Sequence, residues 1–196
     1  SIALGSLGCD NDNDDICVQI AMNLAIENDC NVDVDVDINI VGGIDIYRHG
    51  SIDRRVIEFS GRGVISKYTS SFLLRNTRHR TGGSIKFTGI HFRSNTGEGT
   101  IMTTTPVAEG LDYIQTLYVN DCVFFGGKGW LIVASTAYDL SFLHNIVEHR
   151  GSFIKIDSCH SVRIIDNLIE GLTGKVLEVV NGRSLVFDYN YMEWNG

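Results

Sequence analysis

The chain has 196 residues, with 16 basic and 24 acidic side chains and a formal net charge of −8. This acidic balance argues against a nucleic-acid-binding protein, because phosphate recognition needs clustered cations. No run of 18 apolar residues occurs, which argues against a membrane span. The combination of 21 glycines with one proline predicts many turns and strands with few interruptions.

The five cysteines are odd in number and contain no C-x-x-C spacing, which argues against a disulfide framework and against a four-thiolate zinc site. We therefore expect five reduced and mostly buried thiols, made in a reducing compartment such as the bacterial cytoplasm. The cysteines are Cys9, Cys17, Cys30, Cys122 and Cys159.

An acidic segment, residues 10–15, precedes the first apolar-periodic stretch. A calcium loop would need Gly at its sixth position and Glu at its twelfth, where this chain has Asp15 and Ala21, so we reject that interpretation. The segment instead predicts the start of a helix, capped by Asp14 or Asp15 and ending near Asn28. The predicted apolar stripe of this helix is Ile16, Ile20 and Leu24.

The next segment, Val32–Ile40, alternates strictly between apolar and polar residues over nine positions. Such alternation predicts one half-buried strand with its aspartates facing outward. Two glycines, Gly42 and Gly43, end this strand, and a short strand is expected over Ile44–Tyr47.

The last third of the chain repeats with a period of about 22 or 23 residues, marked by Asn145, Asn167 and Asn190. Asp121 is assigned to the same column one repeat earlier. A unit of this length without a helix cannot close a core alone, so stacked units forming a parallel β-helix are predicted. The asparagines suit a tight left-handed bend and a side-chain ladder. The aligned apolar pairs are Leu131/Val133 with Ile154/Ile156 and Leu177/Val179, and Leu140/Phe142 with Val162/Ile164 and Leu185/Phe187.

Three segments and the asparagine column carry a resemblance to a known group: 12–21, 32–40 and 60–65. The sequence resembles the right-handed parallel β-helix proteins of the pectate-lyase-like superfamily, and most of all bacteriophage tailspikes and capsule depolymerases. It departs from them in having Gly8-Cys9-Asp10 where Gly-Asp-Gly is usual, and in its short length.

The resemblance implies an all-β, right-handed parallel β-helix of about 22–23 residues per coil with an N-terminal capping helix. Residues 1–50 would form the N-terminal segment and residues 51–196 the coils of one continuous domain, within a longer spike chain. It further implies a homotrimer in the virion tail that handles a bacterial surface polysaccharide. No cofactor, metal, nucleic acid or membrane partner is predicted.

Three glutamates, Glu148, Glu170 and Glu193, each follow a repeat asparagine by three residues and so should stack on successive coils. Stacked carboxylates repel one another, and a raised pKa would make one of them a general acid. Glycoside hydrolysis uses such a carboxyl pair, so these three are the candidate catalytic residues. The alternative is that they are solvated turn residues.

Further candidates surround these glutamates. His149 and Arg150 could complete an acid/base site or neutralise its charge, and together with Glu148 they would also suit a polysaccharide lyase. Glu98 and Tyr113, in or beside a loop predicted over Arg93–Asp112, and Trp194 are candidate sugar contacts. The basic cluster 75–80 would hold an acidic sugar or form a solvated turn, and Lys155 and Glu178 are expected to form an ion pair between coils.

The sequence therefore predicts a phage tailspike that recognises a capsule or O-antigen and depolymerises it by hydrolysis or lyase chemistry. Two alternatives stay open. One is a non-catalytic structural or receptor-binding β-helix of a phage tail. The other is a cellular pectate-lyase-like enzyme, which would normally be exported, whereas Ser1–Cys9 shows no signal-peptide pattern.

Overall fold

A computed structural model describes residues 1–42, 44–49, 56–66, 72–77, 84–93, 99–103, 114–135, 137–148 and 150–193. The predicted features that lie wholly or partly outside these ranges include Glu98, Tyr113, His149, Trp194, the basic cluster 75–80 and the loop over 93–112. Among the described residues, no helix is long and apolar enough to cross a membrane.

The described chain is mostly β-strand, with one α-helix and a short 3-10 turn at Gly5–Leu7. The first elements are β1 (Ile2–Ala3), α1 (Asp15–Glu27), β2 (Val32–Val34), β3 (Ile38–Asn39), β4 (Ile44–His49), β5 (Val56–Gly61), β6 (Val64–Ser66), β7 (Phe72–Thr77), β8 (Ser84–Thr88), β9 (His91–Arg93) and β10 (Gly99–Thr103). The remaining strands are β11 (Ile114–Asn120), β12 (Val123–Phe125), β13 (Trp130–Ser135), β14 (Ala137–Leu143), β15 (Ile146–Glu148), β16 (Ser152–Asp157), β17 (Ser161–Ile165), β18 (Leu168–Glu170), β19 (Leu177–Val180), β20 (Leu185–Asp188) and β21 (Tyr191–Glu193).

These strands form three parallel sheets, and from β2 onward the chain visits the sheets in turn. Each strand therefore pairs with the strand three places further along, and we call each set of three strands a coil. The strand orders are β1-β2-β5-β8-β11-β14-β17-β20 in sheet I, β3-β6-β9-β12-β15-β18-β21 in sheet II and β4-β7-β10-β13-β16-β19 in sheet III.

The core lies between the three sheets and consists of stacked apolar side chains. The pairs Leu140/Phe142, Val162/Ile164 and Leu185/Phe187 align as predicted. Phenylalanine rings from all three sheets continue the stack, with successive centroids 4.8–6.0 Å apart, which is the range of favourable aromatic contacts. These rings belong to Phe59, Phe87, Phe92, Phe124, Phe142 and Phe153.

In sheet III the predicted alignment is wrong by one residue in its first repeat. Ile132, rather than Leu131, pairs with Ile154, and Ala134, rather than Val133, pairs with Ile156. Consecutive apolar residues along β13 fit both registers, so periodicity alone could not choose between them.

Helix α1 spans Asp15–Glu27 with Asp14 at its N-cap and Asn28 at its C-cap, which confirms the predicted bounds. The predicted buried face is wrong, because Ile16 is 75% exposed and Ile20 46% exposed. Small and flexible side chains on another face let the helix lie close against β1, β2 and β4. The buried residues of the helix are Val18, Ala21, Met22 and Ala25.

The acidic segment before the helix fixes the N-terminal region. The buried carboxylate of Asp14 accepts hydrogen bonds from the backbone N–H groups of Asp10, Asn11 and Asn39 at 2.8–3.0 Å, rather than from its own helix. The carboxylate of Asp15 accepts from the backbone N–H groups after β3, at Val41 and Gly42. These aspartates therefore join the helix to the first coil.

The cysteine expectation is wrong for one pair, because Cys9 and Cys17 form a disulfide that links the N-terminal segment to α1. Cys30, Cys122 and Cys159 are free, and the last two are buried as expected. The eight-residue separation of the bonded pair includes the turn that Asp14 organises, and this turn brings the two thiols together.

The single strand predicted over residues 32–40 is also wrong, since β2 and β3 belong to different sheets. The chain turns between them, and Oδ1 of Asp35 at this corner accepts a hydrogen bond from the N–H of Gly5. Val34 and Ile38, on either side of the corner, are both buried. The alternation therefore continues around the corner without indicating it.

The asparagine ladder is confirmed and links coils through buried side chains. Oδ1 of Asn167 accepts from the backbone N–H and the side-chain amide of Asn145, at 2.9 and 3.0 Å. Oδ1 of Asn190 accepts in the same way from Asn167, at 3.0 and 2.8 Å. Cys122, not Asp121, occupies the column one coil earlier, and its N–H donates to Oδ1 of Asn145.

The left-handed bend precedes the ladder by one residue, contrary to the prediction that the asparagines adopt it. Asp121, His144, Asp166 and Tyr189 have φ values of 53–55°. The bend therefore lies in a column of its own, and the asparagines satisfy the backbone groups that the bend leaves without strand partners.

Two further expectations concern the outer surface. The ion pair between coils is confirmed, with Nζ of Lys155 3.0 Å from Oε1 of Glu178. Lys175 also contacts Glu178, and hydrogen bonds from Lys175 and Lys155 hold the pKa of that carboxyl below its usual value.

The predicted loop over 93–112 is interrupted by strand β10, which pairs with β7 and β13.

Candidate functional site

The three candidate glutamates occupy matching positions at the ends of β15, β18 and β21 in sheet II. Glu148 pairs with Glu170, and Glu170 with Glu193. In β15 and β18 the central residues, Val147 and Ile169, are buried in the core, so the flanking glutamates face outward. Their alignment on successive coils is therefore confirmed, at the usual strand spacing of about 4.8 Å.

Glu148 and Glu170 are half-buried, whereas Glu193 is exposed. The hydroxyl of Tyr191 lies 3.4 Å from Oε2 of Glu193. Among the described side chains, no basic nitrogen lies within ion-pair distance of the three carboxylates. In earlier coils the same outward column contains Phe125 and Arg93.

A second outward column lies beside the glutamates and is mainly apolar. It occupies the first position of the four later strands of sheet II, β12, β15, β18 and β21, where every second side chain faces outward. Ile146 is 36% exposed and Tyr191 is 58% exposed. The column consists of Val123, Ile146, Leu168 and Tyr191. We call this apolar column the floor of the sheet II face.

The other border of the floor is the bend column that precedes sheet II. Nδ1 of His144 lies 3.6 Å from Oδ1 of Asp121, and Nε2 of His144 lies 3.7 Å from Oδ2 of Asp166. All three side chains are more than half exposed. The floor therefore lies between two acidic borders, one of glutamates and one of aspartates with a histidine between them.

Arg150 does not lie on this face, because it is 1% exposed. Its guanidinium packs against Gly127, where an added Cβ would lie 2.7 Å from Nη2. Its carbonyl oxygen accepts a hydrogen bond from the N–H of Thr173. The structure thus places Arg150 inside the protein rather than among surface sugar contacts.

Sequence reasoning missed the floor and the aspartate–histidine border. Val123 and Ile146 are apolar and were not distinguished from core residues, and Asp121 was assigned to the asparagine column. The detectable signal was the spacing of Asp121, His144 and Asp166, which follows the same 22–23-residue period as the asparagines.

The free thiols near the coils are not suited to nucleophilic chemistry. Burial raises the pKa of Cys122 to about 12, so its thiolate is scarce. The sulfur of Cys159 is buried and lies 3.5 Å from the carbonyl oxygens of Ala134 and Asp157. These cysteines therefore belong to the packed interior.

Cys9, Asp14 and Cys17 form a group of possible metal ligands among the described residues, with their ligand atoms within 4.8 Å of one another. The two sulfurs are bonded to each other, and three backbone N–H groups donate to the carboxylate. These bonds use the donor atoms that a metal would need, so we assign the group a structural role.

A cavity of about 480 Å³ opens at the last coil and lies away from the sheet II face. It is the uncovered interior between the sheets rather than a polar cleft. Its lining consists of Gly174, Lys175, Val176, Leu177, Phe187 and Met192.

Comparisons with known proteins leave the family of this chain open. No family model and no curated protein matches it. One similar solved structure is that of a Parabacteroides merdae protein assigned provisionally as a glycosyl hydrolase, with 13% identity and a TM-score of 0.37 over 97% of this chain and 96% of the other. That similarity is too low to transfer a function.

Proposed function

We propose that this protein is a glycosidase that cleaves a bacterial surface polysaccharide on the sheet II face. The observation that carries the proposal is the in-register column of Glu148, Glu170 and Glu193 beside an outward apolar floor. Carboxylates supply the acid/base chemistry of glycoside hydrolysis, and apolar side chains suit the C–H faces of sugar rings.

The spacing favours a neighbouring pair. Strand neighbours lie about 4.8 Å apart, close to the separation of about 5–5.5 Å between the carboxyls of retaining glycosidases. We assign Glu148 and Glu170 as this pair. One carboxyl would protonate the leaving glycosidic oxygen while the other attacks the anomeric carbon, and water would then release the sugar with the first residue acting as base. Glu193 is the third candidate.

Hydrolysis is favoured over lyase chemistry by the position of the cations. A lyase acting on an acidic sugar needs a positive group to neutralise the substrate carboxylate, and Arg150 was the candidate for this role. Its guanidinium is buried. Within the described part of the sheet II face, the residues beside Glu148 and Glu170 are apolar or acidic.

The same proposal covers the type of β-helix and the biological setting of the protein. A right-handed parallel β-helix of the pectate-lyase-like type is supported by the three-sheet strand order, since crossovers between parallel strands of one sheet are nearly always right-handed. A trimeric spike in the virion tail rests on the sequence resemblance described above.

The test is hydrolysis of capsule and O-antigen preparations, measured as new reducing ends. Glu170→Gln should lower the rate at least about 100-fold, because removing a catalytic acid or base forfeits roughly that factor. Glu58→Gln is the matched control. Glu58 lies on sheet I, where its carboxylate pairs with Lys86 at 3.1 Å, and its substitution should leave the rate unchanged.

Two outcomes would contradict the proposed chemistry. Full activity in Glu170→Gln would exclude the central glutamate as a catalytic residue. Binding of the host glycan without new reducing ends would favour the non-catalytic receptor-binding alternative.

A further inference from the structure

The sheet II face is acidic on both sides of its floor in the later coils. Glu148, Glu170 and Glu193 border one side, and Asp121 and Asp166 border the other. The carboxylates of both borders are partly or fully solvent-accessible. A ligand lying on the floor would therefore meet carboxylates on both sides.

Positive charge on the described part of this face is sparse. Arg93 lies in the glutamate column but two coils before Glu148, and Lys128 lies in the turn after β12. His144 is already placed between Asp121 and Asp166. The face is thus matched in charge to a cationic ligand and mismatched to an anionic one.

We infer that the sheet II face binds a glycan whose sugars carry free amino groups, such as a polymer of glucosamine, and discriminates against uronate polymers. The inference rests on the proposed function, because it takes this face as the glycan-binding surface. A protonated sugar amine is the cation that matches carboxylate borders, and the sugar ring supplies the apolar C–H surface that matches the floor.

The repeat predicts the direction in which the glycan would run across the sheet II face. Floor and border residues recur once per coil, every 4.8 Å or so along the stack. An extended glycan running along the stack would place about one sugar on each coil, with its ring over Ile146, Leu168 or Tyr191 and its amine toward the glutamate of that coil. Contacts of this kind would repeat over Glu148, Glu170 and Glu193.

Calorimetric titration of the full chain tests this inference. The probes are hexamers of glucosamine, N-acetylglucosamine and galacturonate, with hexalysine as a cation that lacks sugar rings. The glucosamine hexamer should bind at least ten-fold more tightly than each of the other three. Its affinity should fall as salt is added.

The matched variants locate the binding. Glu148→Gln/Glu170→Gln should weaken binding of the glucosamine hexamer at least ten-fold, and Glu58→Gln should leave it unchanged. The inference is overturned if the acetylated hexamer or hexalysine binds as tightly as the glucosamine hexamer, if none of the probes binds, or if the double variant binds like the wild type.

The two proposals fail in different ways. Selective binding of amino sugars without hydrolysis would support the inference and remove the catalytic assignment. Hydrolysis of neutral or acidic glycans without preference for amino sugars would support the glycosidase and overturn the inference.

Discussion

Asn145 and Asn167 show how single side chains hold this molecule together. Each is almost fully buried, and each side-chain amide forms hydrogen bonds to both neighbouring coils. The side-chain nitrogen of Asn167 donates to the carbonyl of Phe142 in one coil and to Oδ1 of Asn190 in another. Its Oδ1 also accepts from the backbone of Asn145. These bonds satisfy backbone groups at a bend where no strand partner is available.

Asn167→Ala should lower the free energy of unfolding by at least about 2 kcal/mol, because each buried polar group left without a partner costs about 1–3 kcal/mol. Urea denaturation followed by circular dichroism measures the change. The control is Asn23→Ala on the exposed side of α1, which should change stability by less than about 0.5 kcal/mol. Equal effects of the two substitutions would contradict a structural role for the ladder.

The sequence predicts the ladder better than the bend. Asparagines at a constant period predict stacking, because identical side chains can hydrogen-bond from coil to coil. The left-handed residues of the bend column are Asp121, His144, Asp166 and Tyr189, which belong to three residue types. The asparagines that follow them tolerate the same conformation and are more regular in the sequence, so the bend was assigned to the wrong column.

Helix α1 and the segment before it form one unit that covers the first coil. The helix packs through Val18, Ala21, Met22 and Ala25, while Asp14, Asp15 and the disulfide between Cys9 and Cys17 fix its first turn. Its bounds were predictable from the acidic N-terminus. Its buried face was not predictable from hydrophobicity. Ile16 and Ile20 are more hydrophobic than the alanines that the close packing requires, so the wrong face was selected.

Thiol titration tests the disulfide. Protein purified without reductant and then denatured should give three reactive thiols, and prior reduction should raise this number to five. In the native protein only the half-buried Cys30 should react rapidly, because Cys122 and Cys159 are buried and the pKa of Cys122 is about 12.

Cys30→Ser is the control for that titration, since it should abolish the rapid native reaction. Five reactive thiols in the denatured, unreduced protein would restore the original expectation that all the cysteines are reduced.

The two ends of the stack of coils differ. Helix α1 covers one end, whereas β19, β20 and β21 lie at the other edge of their sheets. Their inward residues are uncovered, since Val179, Leu185 and Met192 are 42–45% exposed. The equivalent residues one coil earlier, Ile156, Val162 and Ile169, are buried.

An apolar end with free strand edges should promote self-association. We expect the sedimentation coefficient of the chain to rise with concentration, and Leu185→Glu to reduce this rise. The matched control is Val186→Glu. Val186 is equally exposed at 45% but pairs with the outward-facing Arg163, so the control should associate like the wild type. Indistinguishable behaviour of the two variants would contradict association through the open end.

The sequence predicts the repeating architecture well and its corners poorly. The aligned pairs Leu140/Phe142 and Val162/Ile164 follow directly from period and alternation, as does the glutamate column. The corner near Asp35 could not be predicted, because inward and outward positions continue alternating through it. The floor was missed because outward apolar residues such as Ile146 look like core residues until the sheet is known.

The pairing of each strand with its counterpart in the next coil also has a kinetic consequence. A strand of sheet I such as β17 can form its hydrogen bonds only against β14 or β20, so order spreads between neighbouring coils. Helix α1 packs against the first coil and so covers one end of the stack. This end is synthesised before the coils that follow it. Folding should therefore proceed in one direction, with each finished coil acting as the template for the next.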